Sequence, residues 1–454
     1  MHTARERPAA AIDARWVELV LACFVAGGTF LLGPRFVLVP SLLVPTLAVY
    51  AVALLRRWSV AGRLATFLLL LAVVGVAPTL LKMDATHTGS PTSGHDGGVI
   101  VTGRAVEELL AGNDPYTVSY VDELRGGFLV VDGLRTENPI RDHYPYSPGT
   151  FLLQVPFLGP ALTLGLWPDA RWLYLLVYAA LGVGLARWSL RERGDLLVPL
   201  LLLANPLFLP FFWQGETDIL LLAGLVGLAW ALARERPVPG ALVLGLALST
   251  KLLLAPFALV FLAWLAAGAR QGQLRRSTAV RAAGALLLPA VVTAAPFLLW
   301  HPGAIVEDVL LFHAGLAPPR YPISGAGFPA LLFDLDVIHD RWAQAPMWST
   351  LLPTAAALVA AGAWVWRRTR VADLLAAGAA VSLASVYFSR AFTTTYWWLP
   401  VALLSLAAVA CSRPRPWEVT GGVAGPVVRE LAAMPVPAPA AAAAVPERTS
   451  RPAR

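Results

Sequence analysis

The stretch RWLYLLVYAALGVGLARWS, residues 171–189, decides the fold class. Between Arg171 and Arg187 it carries no charge, and Arg191 and Arg193 follow directly. A helix that crosses a bilayer needs about 20 apolar residues, and Lys and Arg collect at its cytoplasmic end. Runs of the same kind lie near 17–33, 36–55, 64–81, 196–213, 217–233, 279–300, 346–366, 371–388 and 394–411. Of the 454 residues 57% are apolar and 14% charged, where a soluble domain has about 45–50% and about 25%. A soluble globular enzyme, a disordered chain and a secreted disulfide scaffold are thereby excluded. Cys23 and Cys411 sit in the first and last apolar runs and build no disulfide framework.

The basic residues set the orientation. Of 35 Lys and Arg only Lys82 and Lys251 are lysine, and the arginines fall mostly in short loops between apolar runs. That pattern belongs to topology and not to nucleic acid. Arg5, Arg7 and Arg15, Arg56, Arg57 and Arg63, Arg187, Arg191 and Arg193, Arg234 and Arg236, Arg270 to Arg281, and Arg367 to Arg370 all read as cytoplasmic. The long loops 82–148 and 301–345 then face outward, with 5 basic against 10 acidic residues in the first and 2 against 5 in the second.

Three shorter or Pro-interrupted pieces remain: 149–166, 240–250 and 252–268. Residues 149–166, broken by Pro156 and Pro160, read as a re-entrant element, because irregular backbone at that depth needs protein or a water-filled cavity around it. Residues 240–268 read as a helical hairpin with Lys251 near its turn. The expectation is an all-α polytopic integral membrane protein with about 10–12 crossings, short or re-entrant helices, and both termini cytoplasmic in the plasma membrane. Residues 1–411 form the transmembrane domain, and the Pro- and Ala-rich 412–454 read as a disordered cytoplasmic tail.

Chemistry gathers on the outward side. Every histidine except His2 lies in one of the two outward loops: His87, His95, His143, His301, His313 and His339. None has the spacing of a metal-ligand pair, and no cofactor is expected. The first loop reads His95-Asp96-Gly97-Gly98, then shows helical apolar spacing through Val99, Val106 and Leu110, then stops at Gly112-Asn113-Asp114-Pro115. This is an amphipathic helix on the membrane surface, and by spacing alone Asp96 reads as its N-cap.

Asp96-Gly97-Gly98, the segment Leu109-Leu110-Ala111-Gly112-Asn113-Asp114-Pro115-Tyr116, and Tyr144-Pro145-Tyr146-Ser147-Pro148 opening an apolar run together resemble the GT-C superfamily of membrane glycosyltransferases. The likeness is nearest to the actinobacterial mannosyltransferases that use a polyprenyl-phosphate sugar. It extends to Trp213-Gln214-Gly215-Glu216-Thr217-Asp218 and to Lys251 within an apolar run, over roughly residues 64–410. The resemblance implies transfer of mannose or arabinose from a polyprenyl-phosphate donor to an extracytoplasmic glycan or glycolipid, with inversion. It places the catalytic general base at Asp96, with Asp84 as competitor.

A single carboxylate suffices for inversion when the donor brings its own leaving group. The departing phosphate needs cationic partners, and Lys251, Arg320 and Arg390 are the candidates, with the Gly-containing loop 320–328 offering backbone N–H groups. His95, Tyr146, Gln214, Glu216, Asp218 and His313 complete the expected substrate-binding set. Tyr144, Trp300, Trp397 and Trp398 read as interfacial aromatics. The rival reading is a transporter or lipid-linked-sugar flippase. The outward clustering of ionisable groups and the lack of mirrored halves favour the enzyme.

Overall fold

A computed structural model describes residues 14–30, 38–89, 94–124, 128–131, 134–165, 167–392 and 394–411. Arg5, Arg7 and the tail 412–454 lie outside them. The chain is an all-α polytopic membrane protein. It begins with α1 (Ala14–Phe30) and α2 (Leu38–Leu55), followed by α3, which runs from Val60 to His87 with a single π turn at Ala72–Val76. The segment after α3 then forms α4 (96–110), a hairpin of β1 (Phe128–Val131) and β2 (Leu134–Glu137), and two short helices, α5 (Gly149–Leu152) and α6 (Val155–Thr163). Next come α7 (Arg171–Glu192), α8 (Leu197–Leu203), α9 (Leu209–Gln214), α10 (Asp218–Leu232), α11 (Pro237–Leu248), α12 (Ala255–Arg270) and α13 (Arg276–Trp300). The segment after α13 holds α14 (302–314), β3 (Ser324–Gly325) and α15 (Phe328–Asp334). The chain then forms α16 (Met347–Arg367), α17 (Val371–Tyr387), β4 (Ala391–Phe392) and α18 (Trp398–Cys411).

Among the described residues five helices are long and apolar enough to span: Val60–His87, Arg171–Glu192, Leu252–Arg270, Arg276–Trp300 and Trp348–Arg367. The shorter apolar helices Ser41–Leu55, Asp218–Leu232, Pro237–Leu248, Val371–Tyr387 and Thr395–Ala410 pack among them. Small residues set the closest approaches: Gly245 of α11 lies against the backbone of Leu286 in α13, and Gly224 of α10 against Ala247. In lipid such contacts hold helices together by packing rather than by the hydrophobic effect.

Three expectations change. The run 196–213 is not one helix: Asn205-Pro206 interrupts it, the Asn205 side chain accepts from Leu207 N at 2.9 Å, and α8 and α9 form on either side. Proline cannot extend the preceding turn, so the run bends there. The helix α3 carries Lys82 and Asp84 to its end at His87, so the segment expected as a loop from residue 82 begins after it. Trp398 is no interfacial anchor; it is buried and donates from Nε1 to Asp218 Oδ2 at 2.6 Å. Residues 149–163 hold two short helices packed on α4, and residues 249–251 join α11 to α12, where Leu252–Arg270 is long and apolar enough to span.

Candidate active site

Asp96 and Glu216 reach one cavity because three glycines bring two turns back to back. Gly215 closes α9 in the left-handed region, at φ 88°, where a side chain is strained. Gly98 packs directly on the Gly215 carbonyl, with no room for a Cβ. A Cβ on Gly97 would lie 2.7 Å from the Tyr146 ring. The two glycines after Asp96 are therefore steric necessities. His95 N donates to Gln214 O at 2.6 Å, and the Tyr174 hydroxyl donates to Gly98 O at 3.0 Å, which fixes the turn from both sides. Beneath it Arg171, fully buried, forks onto Asp169 at 2.9 and 2.6 Å and donates to Thr86 Oγ1 at 2.9 Å.

The N-cap of α4 is His95, not Asp96: its Nδ1 accepts from Gly98 N at 3.0 Å. That bond leaves Nε2 to carry the proton of the neutral ring. Asp96 is thus released from capping. Its Oδ1 accepts from Gly97 N at 2.7 Å, and its Oδ2 from the Asn138 amide at 2.7 Å. Asn138 in turn accepts from Ile140 N at 3.2 Å, so one side chain ties the carboxylate to the opposite end of the first loop. The sequence holds no signal for Asn138, because the partnership spans 42 residues.

The cavity encloses about 850 Å³. Of the expected site residues it gathers His95, Asp96, Tyr146, Gln214, Glu216, Lys251, His313 and Arg390. To these it adds Asn138, Tyr321 and Tyr396, which sequence reasoning missed. Leu252, Leu253, Pro256, Val309, Leu310 and Val386 form an apolar wall alongside. Asp84 stays out, exposed on the last turns of α3. Arg320 is exposed and donates only to Trp342 O at 3.3 Å. Among the described residues no three His, Cys, Asp or Glu side chains converge as a metal site would require.

The two cations on the lining differ. Lys251 sits 2.8 Å from Asp218 Oδ1 and 3.3 Å from Glu216 Oε1, between the rings of Tyr146 and Tyr396, each centred 5.6 Å from Nζ. Its charge is answered by two carboxylates. Asp218 lies behind this cluster, held by Lys251 and Trp398. Glu216 keeps Oε2 without a protein partner.

Arg390 donates through Nε to Tyr321 O, through Nη1 to Ala343 O at 2.6 Å and through Nη2 to Arg341 O at 2.9 Å. All three acceptors are uncharged carbonyls. Burial and the nearby Arg320 bring its guanidinium down to about 10, still charged at neutral pH. The loop 320–328 offers no free cradle: Ile323, Ser324 and Ala326 donate their N–H groups to Arg341, Arg390 and Phe392, and β3 pairs with β4 in parallel.

Residues 144–386 match glycosyltransferase family 87. The chain belongs to that family. No curated protein and no solved structure shows a significant match. As a family 87 member the protein is a glycosyltransferase of the membrane. The matched region holds Tyr146, Gln214, Glu216, Asp218, Lys251, His313 and Arg320, while His95, Asp96, Asn138 and Arg390 lie outside it.

Proposed function

We propose that this glycosyltransferase moves a sugar, mannose or arabinose, from a polyprenyl-phosphate donor to a glycan or glycolipid acceptor at the outer face of the plasma membrane. The observation that carries the reading is the polarity of the cavity around Asp96 and Glu216. Carboxylates of Asp96 and Glu216 and the Asn138 amide line it, a carbonyl-bound Arg390 and His313 line it too, and an apolar wall from α12, α14 and α17 adjoins them. A lipid phosphate joined to a sugar matches all three surfaces.

Asp96 acts as general base. It takes the proton from an acceptor hydroxyl as that oxygen attacks the anomeric carbon, and the lipid phosphate leaves with the electron pair of the broken C–O bond. One carboxylate is enough for this inverting displacement. Arg390 balances the charge that grows on the phosphate, a role that demands a cation not already neutralised. The free Oε2 of Glu216 accepts from a sugar hydroxyl, and Lys251 holds Glu216 and Asp218 in place. Tyr146 closes the cavity against Gly97. The Arg-rich short loops and the acidic long loops support an outward site with both termini cytoplasmic.

The test supplies membranes carrying the protein with a panel of radiolabelled polyprenyl-phosphate sugars and follows label into extractable glycolipid and glycan. One donor of the panel is expected to be consumed. Asp96→Asn, which keeps the size and one acceptor oxygen for the Gly97 N–H but not the Asn138 bond, is expected to retain donor binding and lose transfer by about 10²–10⁴-fold. Full transfer by Asp96→Asn overturns the mechanism. Equal indifference to every polyprenyl-phosphate sugar overturns the donor class.

A further inference from the structure

The second outward segment grips the first at three points along α14. His301 Nδ1 lies 2.8 Å from Asp114 Oδ2, Asp308 takes His143 Nδ1 at 2.7 Å and Tyr144 N at 2.8 Å, and His313 Nε2 donates to Pro145 O at 2.6 Å. The middle grip differs from the others in being wholly buried, with both side chains about 95% covered. It also sits where the chain must be most exact. Residues 143–150 run from α14 past Gly97 to the turn that carries Lys251: Gly149 N donates to Ser249 O at 2.9 Å, and Thr150 Oγ1 donates to Thr250 O at 2.6 Å.

We propose that Asp308 is a positioning residue, and that its buried pair with His143 is a proton-dependent latch joining the two outward loops across the cavity. This deepens the reading above: the latch aligns the wall of Val309, Leu310, Phe312 and His313 with the first-loop residues Asp96, Asn138 and Tyr146. Both Asp308 oxygens are committed to residues 143 and 144, which directs the next residues, Pro145 and Tyr146, to His313 and the cavity.

The groups facing His143 are the Asp308 carboxylate, Glu307 on the same helix, the Phe312 ring at 4.5 Å between centroids and the Pro318 carbonyl. Tyr116, Tyr120 and Tyr144 pack around Asp308 on the first-loop side. Burial opposes the charged imidazolium, but the hydrogen bond and charge of Asp308 outweigh it, and His143 holds its proton above the ordinary histidine range. Burial raises the Asp308 carboxyl despite its bonds to His143 and Tyr144. Folded His143 is therefore raised, so its contribution is complete below the ordinary histidine value and is lost as pH climbs through the folded one. At the acid end Asp308 takes up a proton and the ion pair ends. The latch is charged on both sides only between those limits.

Two readouts separate this proposal from the assignment of donor. A Cβ at Gly103 on α4 or at Gly303 on α14 meets nothing within 4 Å, so cysteines there carry spin labels in a chain with Cys23→Ser and Cys411→Ser. The label-to-label distance distribution of the full chain in nanodiscs is expected to be narrow near pH 6 and to broaden as pH rises past the His143 transition. Asp308→Asn and His143→Gln are expected to be broad throughout. With any polyprenyl-phosphate sugar that supports wild-type transfer, Asp308→Asn is expected to lower kcat by about 10²-fold. The donor KM should stay within about twofold, and the alkaline limb of the wild-type profile should move to lower pH. Narrow, pH-independent distances in both variants overturn the latch whatever the donor. A fall in melting temperature with an unmoved alkaline limb makes Asp308 merely structural. Failure of every donor, with the distances behaving as expected, removes the donor class and leaves the latch standing.

Discussion

Lys251 and Arg390 line the same cavity and come from equally apolar surroundings, yet the fold treats them in opposite ways. Lys251 is met by two carboxylates and two aromatic rings. Arg390 is met by three carbonyl oxygens, which orient the guanidinium without neutralising it. A buried cation with carboxylate partners is part of the scaffold. One with only dipoles around it keeps its charge available to an anion that arrives. Arginine suits the second role, since its planar fork is held by several acceptors at once and stays protonated.

The sharpest way to break this comparison is Lys251→Met. It leaves Glu216 and Asp218 buried without their cation, so stability should fall by about 3–5 kcal/mol, read as loss of monodisperse protein and a lower melting temperature. Lys251→Met combined with Asp218→Asn should recover part of that loss, because one uncompensated charge goes with it. A fully stable Lys251→Met would make the cluster incidental and return the lysine to phosphate binding.

Arg390→Gln should act on substrate more than on fold. Hydrogen bonds to charged groups contribute about 1.5–3 kcal/mol, so donor KM should rise by roughly ten- to a hundredfold, more steeply at low salt. An unchanged KM would remove Arg390 from the donor site. Asn138→Ala should lower kcat by about tenfold with donor KM unchanged, since it frees one oxygen of Asp96 and touches no donor group. The smallest effect belongs to Asp84→Asn: exposed and away from the cavity, it should alter stability by no more than about 0.5 kcal/mol and leave transfer rates at wild type. A dead Asp84→Asn would move the base to that position and refute the cavity described above.

How much of this was legible follows from the range of the interactions. Helix placement and the helix that follows Asp96 rest on local apolar pattern, which is written in consecutive residues. The break at Asn205-Pro206 was also local, but the apolar count around it concealed the proline. Partners were another matter. Nothing near Lys251 announces Glu216 and Asp218, more than thirty residues away. Nothing near Arg390 announces Tyr321, Arg341 and Ala343, and nothing near His143 announces Asp308.

The sequence by itself determined that this chain crosses the membrane many times, which loops gather the titratable groups, and that Asp96 followed by two glycines opens a surface helix. Only the tertiary structure decided which charges are free. It passed the helix cap to His95 and left Asp96 to Asn138, it closed Lys251 between two carboxylates, and it set Asp84 outside. The physical reason is that periodicity and charge bias act along the chain, whereas the availability of a charge depends on which groups share its surroundings. Those groups are brought together only when the helices pack.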